Sequence, residues 1–118
     1  RYICVSVNVE SAQTARHDVA RGISTIIALL EEQLLFHTFL KSSLKESVQN
    51  ISGDAALKMY LTNFCASIEK PFILLIDEID SLVGDTLISV LRQLRTGYIG
   101  RSTSFPQYFR RKIAASRF

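Results

Sequence analysis

Five consecutive apolar residues, Phe72-Ile73-Leu74-Leu75-Ile76, follow Pro71 and run straight into Asp77-Glu78-Ile79-Asp80. No other stretch limits the fold as strongly. A short apolar run entered from a proline and left through acidic residues reads as a strand covered on both faces, as in a parallel sheet. A second run, Tyr2 to Val9 (YICVSVNV), begins as a continuous apolar string and then alternates. It reads as a second buried strand.

The chain between and after these strands carries helical periodicity. Ser11 is placed to cap a long helix whose apolar stripe is Ala12, Ala15, Val19, Ile23, Ile26, Leu30 and Leu34, with Glu31 outside the stripe. Gly22 inside that helix costs about 1 kcal/mol relative to alanine, which implies close packing at that point. Residues 36–53 either extend the helix or form a short second one, ending in a loop at Asn50-Ile51-Ser52-Gly53. Asp54 then caps a helix with Leu57, Tyr60, Leu61, Phe64 and Ile68 on one face, and Pro71 stops it. After the second strand, Asp85 caps a third helix with Leu87, Ile88, Leu91 and Leu94 inward and Gly97 at its end. Strand, helices, strand, helix is the order of an α/β layered fold with a parallel sheet flanked by helices.

Charge and cysteine content narrow the function classes. Residues 1–100 hold nine Lys/Arg and eleven Asp/Glu, while the last eighteen hold five basic residues (Arg101, Arg110, Arg111, Lys112, Arg117) and no acid. The net charge of +3 is therefore a property of the tail, and nucleic-acid binding is not expected of it. Cys4 and Cys65 lie in apolar runs without CxxC spacing, so neither a disulfide framework nor a zinc site is implied, and buried free thiols fit a cytoplasmic protein. The longest apolar stretches fall short of the ~20 residues that span a bilayer. His17 and His37 show neither HxH nor HExxH spacing, and no Gly-x-Ser-x-Gly occurs.

The chemistry-bearing feature is the exit from the second strand. Open α/β sheets bind ligands at the carboxyl ends of their strands. Asp77 at the strand tip is placed to hold a magnesium-bound water, and Glu78 beside it to polarise an attacking water. Adjacent carboxylates call for a cation or a basic neighbour. The plainer alternative is that these acids cap the next helix or meet solvent, as apolar strands ending in Asp-Glu do in many α/β proteins. Asp80 is as readily a capping or surface acid as part of a site.

The segment ILLIDEIDSL resembles the Walker B element of AAA+ P-loop ATPases, and residues 70–107 look like a bacterial family of AAA-like predicted ATPases. The opening VSVNVESAQTAR is similar to that family's second strand and following helix. The resemblance implies residues 1–107 as a partial AAA-like core, from second strand to Walker B strand and following helix. It implies Asp77 as the magnesium-supporting aspartate, Glu78 as the catalytic glutamate, and ATP with Mg2+ as cofactors of a parent protein.

Other residues depart from the family pattern. No G-x-x-x-x-G-K-[ST] occurs, so the nest of backbone N–H groups that grips a triphosphate is lacking and this stretch alone should not hold ATP tightly. Arg1 running directly into an apolar strand reads as a cut site in a longer chain. Residues 108–118 form a basic tail, altered or truncated, with Tyr108-Phe109-Arg110-Arg111-Lys112 where an apolar sensor strand is due. No sensor residue or arginine finger is assigned, and Arg92 and Arg95 read as surface residues. In the family's sheet the Walker B strand is central, so loss of the sensor strand would leave the far edge of 72–77 bare and prone to self-association. The leading expectation is a fragment of an ATP-hydrolysing protein, inactive by itself. The alternatives are a non-catalytic α/β interaction module and a metal-dependent phosphotransfer or nuclease site built on Asp77, Glu78 and Asp80.

Overall fold

The computed structural model describes residues 2–99 and 113–116. Strand β1 (Ile3–Asn8) is followed by a 3-10 segment (Glu10–Ala15), helix α1 (Val19–Phe36), a short 3-10 turn (Lys45–Val48) and helix α2 (Gly53–Ala66). Strand β2 (Phe72–Asp77), a 3-10 turn (Ile79–Ser81), helix α3 (Gly84–Ile99) and strand β3 (Ile113–Ser116) complete the order. The three strands form one sheet in the order β1-β2-β3, and both neighbouring pairs are parallel. The chain is a small α/β domain with β2 in the middle of its sheet.

Strand periodicity explains how the sheet is buried. In β1, Ile3, Val5 and Val7 point into the core while Cys4, Ser6 and Asn8 are exposed. In β2, Phe72, Leu74 and Ile76 are buried and Ile73, Leu75 and Asp77 only partly so. The inward face joins α1, α2 and α3 in a single core, and the Phe64 ring on α2 meets Phe72 edge-on at 4.9 Å. The expectation of strands covered on both faces is corrected. Helices pack on the side that β1 makes uniformly apolar, and the other side carries Ser6 and Asn8, which gain nothing from burial. Cys4 lies on that side and is exposed, contrary to the sequence reading. Cys65 is buried.

The first helix starts later than expected. Arg16 takes a positive φ of 47°, which ends the 3-10 segment, and Asp18, not Ser11, caps α1 by accepting from the Arg21 amide at 3.2 Å. The close approach inferred at Gly22 is present: a Cβ there would lie 2.5 Å from Thr86 Cγ2 and 3.2 Å from Ala15 Cβ. Helix α1 ends at Phe36 and is not extended by the residues that follow. At α2 the cap is Ser52, whose hydroxyl accepts from the Asp54 amide at 3.3 Å, and Asp54 falls in the first turn.

Helix α3 packs in a different phase from the one its leucines suggest. Val90 and Leu94 are buried together with Thr86, Ser89 and Gln93, whereas Ile88 and Leu91 are 52% and 49% exposed. Gly97 is a buried residue inside the helix, not its terminator. Strand β3 corrects another expectation. It pairs with Leu74–Asp77 on the side of β2 away from β1, so that edge is not bare over these four residues. The ground for self-association through it is removed there. The basic residues 101, 110, 111, 112 and 117 lie outside the described residues.

Candidate functional site at the carboxyl edge of the sheet

Asn8, Asp77 and Ser116 stand in register across the carboxyl ends of the three parallel strands. The chain leaves β1 through an Asn8 side chain that accepts from the Glu10 amide at 2.8 Å, starting the 3-10 segment. The Val9 amide donates to the Asp77 carbonyl at 3.1 Å, so the ladder between β1 and β2 persists to the tip of both strands.

Asp77 shares a sheet face with Ile73 and Leu75 and is partly buried. Its Oδ1 atom is shut off from solvent and has no hydrogen-bond partner. Leaving a buried acceptor unsatisfied costs on the order of 1–3 kcal/mol, more if it is charged. A carboxylate kept in that state suits a cation-bound water or a cation. The donor chemistry fits magnesium, which takes oxygen ligands and keeps several of its waters. No group of three or more His, Cys, Asp or Glu side chains able to hold a metal forms among the described residues.

Glu78 follows with φ 62° and ψ 33°, the left-handed region. For a residue with a side chain this costs roughly 1–3 kcal/mol. Continued as a strand, residue 78 would point to the face of Phe72, Leu74 and Ile76, which are 1–3% exposed. The left-handed turn ends the strand alternation at this point, and the residue is half-buried. Its carbonyl accepts twice from Ser81, from the amide at 3.0 Å and from the hydroxyl at 2.6 Å. Leu82, 1% exposed, and Ile79, packed against the core, anchor the turn from below. Asp80 is exposed.

Other residues singled out from the sequence lie elsewhere. His17 sits in the turn before α1, and its Nδ1 lies 3.2 Å from Asp85 Oδ2 at the start of α3. His37 is exposed and rests against the rings of Phe36 and Phe39. Arg92 and Arg95 are exposed on α3. A groove of about 420 Å³ lies between α1 and the start of α2, lined by Ile23, Ile27, Lys45, Val48 and Ile51 among others. It includes neither Asp77 nor Glu78. No described helix is long and apolar enough to cross a membrane.

Two polar clusters escaped the sequence reading. Glu31, expected on the outer face of its helix, is 3% exposed. It accepts from Ser43 Oγ at 2.6 Å, Leu44 N at 2.8 Å, Lys45 N at 2.9 Å and Tyr60 Oη at 2.8 Å. Burial pushes its pKa upward, but these four hydrogen bonds outweigh it and hold the carboxyl below its ordinary value. The same burial and the neighbouring Glu31 push the Tyr60 hydroxyl up. The signal was present, since Glu31 lies four residues after Ile27 on the buried stripe. Gln93 forms the second cluster, donating to Gly53 O at 2.8 Å and accepting from Lys58 N at 2.9 Å. Both clusters are satisfied within the protein and bind helices together.

Compared with models of protein families, with curated proteins and with solved structures, the chain matches none.

Proposed function

We propose that this chain is the Walker B-bearing part of an AAA+-like P-loop ATPase, with Asp77 and Glu78 acting on ATP and Mg2+ in the parent protein. The carrying observation is Asp77 at the tip of the central strand of a three-stranded parallel sheet, with its Oδ1 buried and unpartnered. The order β1-β2-β3 agrees with the central position that the resemblance assigns to the Walker B strand. The magnesium ion would neutralise charge on the phosphates when bound. Asp77 would hold one of its waters. Glu78 accepts a hydrogen bond from the attacking water and takes its proton as the water oxygen bonds to the terminal phosphorus, while the bond from that phosphorus to the bridging oxygen breaks and ADP leaves. The phosphate loop belongs to another part of the parent, so the chain as it stands does not retain ATP.

The test uses the longer natural protein that contains this chain. Wild type should bind and hydrolyse ATP, Asp77→Ala should lose magnesium-dependent turnover, and Glu78→Gln should keep nucleotide while turnover falls about a hundredfold or more. A longer protein that neither binds nor hydrolyses ATP ends the proposal. A second reading, a non-catalytic interaction module, draws on the exposure of Ile88 and Leu91 on α3. That reading gains if the longer protein has no phosphate loop.

A further inference from the structure

Ser81 makes both of its recorded hydrogen bonds to one atom, the carbonyl oxygen of Glu78. The residue it holds is one of three non-glycine residues with positive φ among those described. It is also the one that follows the strand tip. A left-handed residue with a side chain persists only where its surroundings over-determine it. Here the determinants are the paired Ser81 contacts at 2.6 and 3.0 Å and the anchoring of the turn by the buried Leu82. Losing the Ser81 hydroxyl contact weakens that restraint. The side-chain direction of Glu78 changes with its φ.

We propose that Ser81 is a positioning residue: by clamping the Glu78 carbonyl it fixes the left-handed turn that aims the Glu78 carboxylate at the carboxyl edge of the sheet. This role rests on the ATPase reading given above. It assigns to a neutral hydroxyl, three residues from the carboxylate, control over whether that carboxylate reaches the reacting water. Reach matters because a misplacement of about 1 Å can lower a rate a hundredfold. Threonine carries the same hydroxyl and can make the same contact to the carbonyl. Alanine keeps the amide bond alone.

The experiment compares wild type, Ser81→Ala, Ser81→Thr and Glu78→Gln in two arms. In the 118-residue chain, NMR reads the backbone of Glu78 through its intraresidue amide-to-Hα NOE, strong for a left-handed residue. Ser81→Ala should weaken that signature, and Ser81→Thr should keep it. In the longer natural protein, Ser81→Ala should lower kcat for ATP by roughly ten- to a hundredfold with KM for ATP nearly unchanged. Ser81→Thr should return kcat to within about threefold of wild type, set against that same positional range. Loss of turnover in Ser81→Ala that threonine does not restore, or an unchanged kcat, overturns the role of Ser81 alone. If wild type is inactive, or Glu78→Gln turns over as fast as wild type, the ATPase reading has failed and the role falls with it. An unfolded Ser81→Ala protein in the first arm, beside a folded and fully active Ser81→Thr, leaves the hydroxyl contact as the determinant. The same result with an inactive Ser81→Thr rejects it.

Discussion

At the scale of single residues, Glu31 shows how a carboxylate can be buried without a cation. Four donors converge on it, two of them amides at the start of the Lys45–Val48 turn. Glu31→Gln keeps the shape but loses the charge and one acceptor, and should cost about 1–3 kcal/mol in urea unfolding at neutral pH. The pH dependence follows from a folded pKa below the ordinary glutamate value of about 4.3. Its contribution is complete above that ordinary value and is lost as pH falls through the lower folded one. Unfolding curves of wild type and Glu31→Gln should therefore converge in acid. Asp77 presents the opposite case, an acceptor left without a donor. Asp77→Asn should leave stability unchanged or raise it by about 1 kcal/mol and, on the ATPase reading proposed above, remove magnesium-dependent turnover from the longer protein. A stability loss of several kcal/mol would mean that the carboxylate supports the fold.

Among elements, α3 separates what a sequence displays from what packing selects. Its leucines and isoleucine form a convincing stripe, yet Ile88 and Leu91 face outward and Ser89 and Gln93 face α2. The polar residues are tolerated because Gln93 finds backbone partners at Gly53 and Lys58, and Ser89 reaches Asp54 at 3.3 Å. Such partners depend on where α2 begins, which periodicity in α3 does not encode. Ile88→Lys should shift stability by no more than about 0.5 kcal/mol, whereas Val90→Ala, one position round the buried face, should cost more than ~1 kcal/mol in thermal or urea unfolding. The reverse order would return α3 to the phase its leucines suggest. Strands β1 and β2, in contrast, were legible to within a residue, whereas β3 was not. Runs of β-branched and apolar residues bounded by Pro71 and by acids leave little choice of structure. The start of α1 was not legible, because Arg16 breaks the pattern through a positive φ that its residue type does not announce. Gly22 was legible as a close approach, though not which residue approaches. Gly22→Ala should be destabilising by ~1–3 kcal/mol despite the better helix propensity of alanine. Combining it with Thr86→Ala should recover much of the loss.

At the scale of the whole molecule, one sheet face is packed and the other is partly open. Sequence alone suggested two covered faces, because the continuous apolar run of β2 hides the alternation that Cys4, Ser6 and Asn8 give to β1. The acidic pair at the strand exit was legible as a candidate site because charge appears abruptly where the sheet ends. The unpartnered state of Asp77 Oδ1 and the clamp by Ser81 depend on three-dimensional turns and were not. A thiol reagent distinguishes the faces. Cys4 should react in the native protein, and Cys65, buried with its thiol pushed up to about 12, should react only on unfolding.

The carbonyl of Arg16 receives the Thr86 amide at 2.9 Å, and the neighbouring His17 ring leaves no room for a side chain at Gly84. This ties the approach to α1 to the first turn of α3, a few residues beyond the acidic pair. The two crossovers thus share a rivet close to the carboxyl rim of the sheet. Any adjustment of the rim that carries the start of α3 with it pulls on the lead-in to α1 as well, and the strain is spread over two helices instead of one loop.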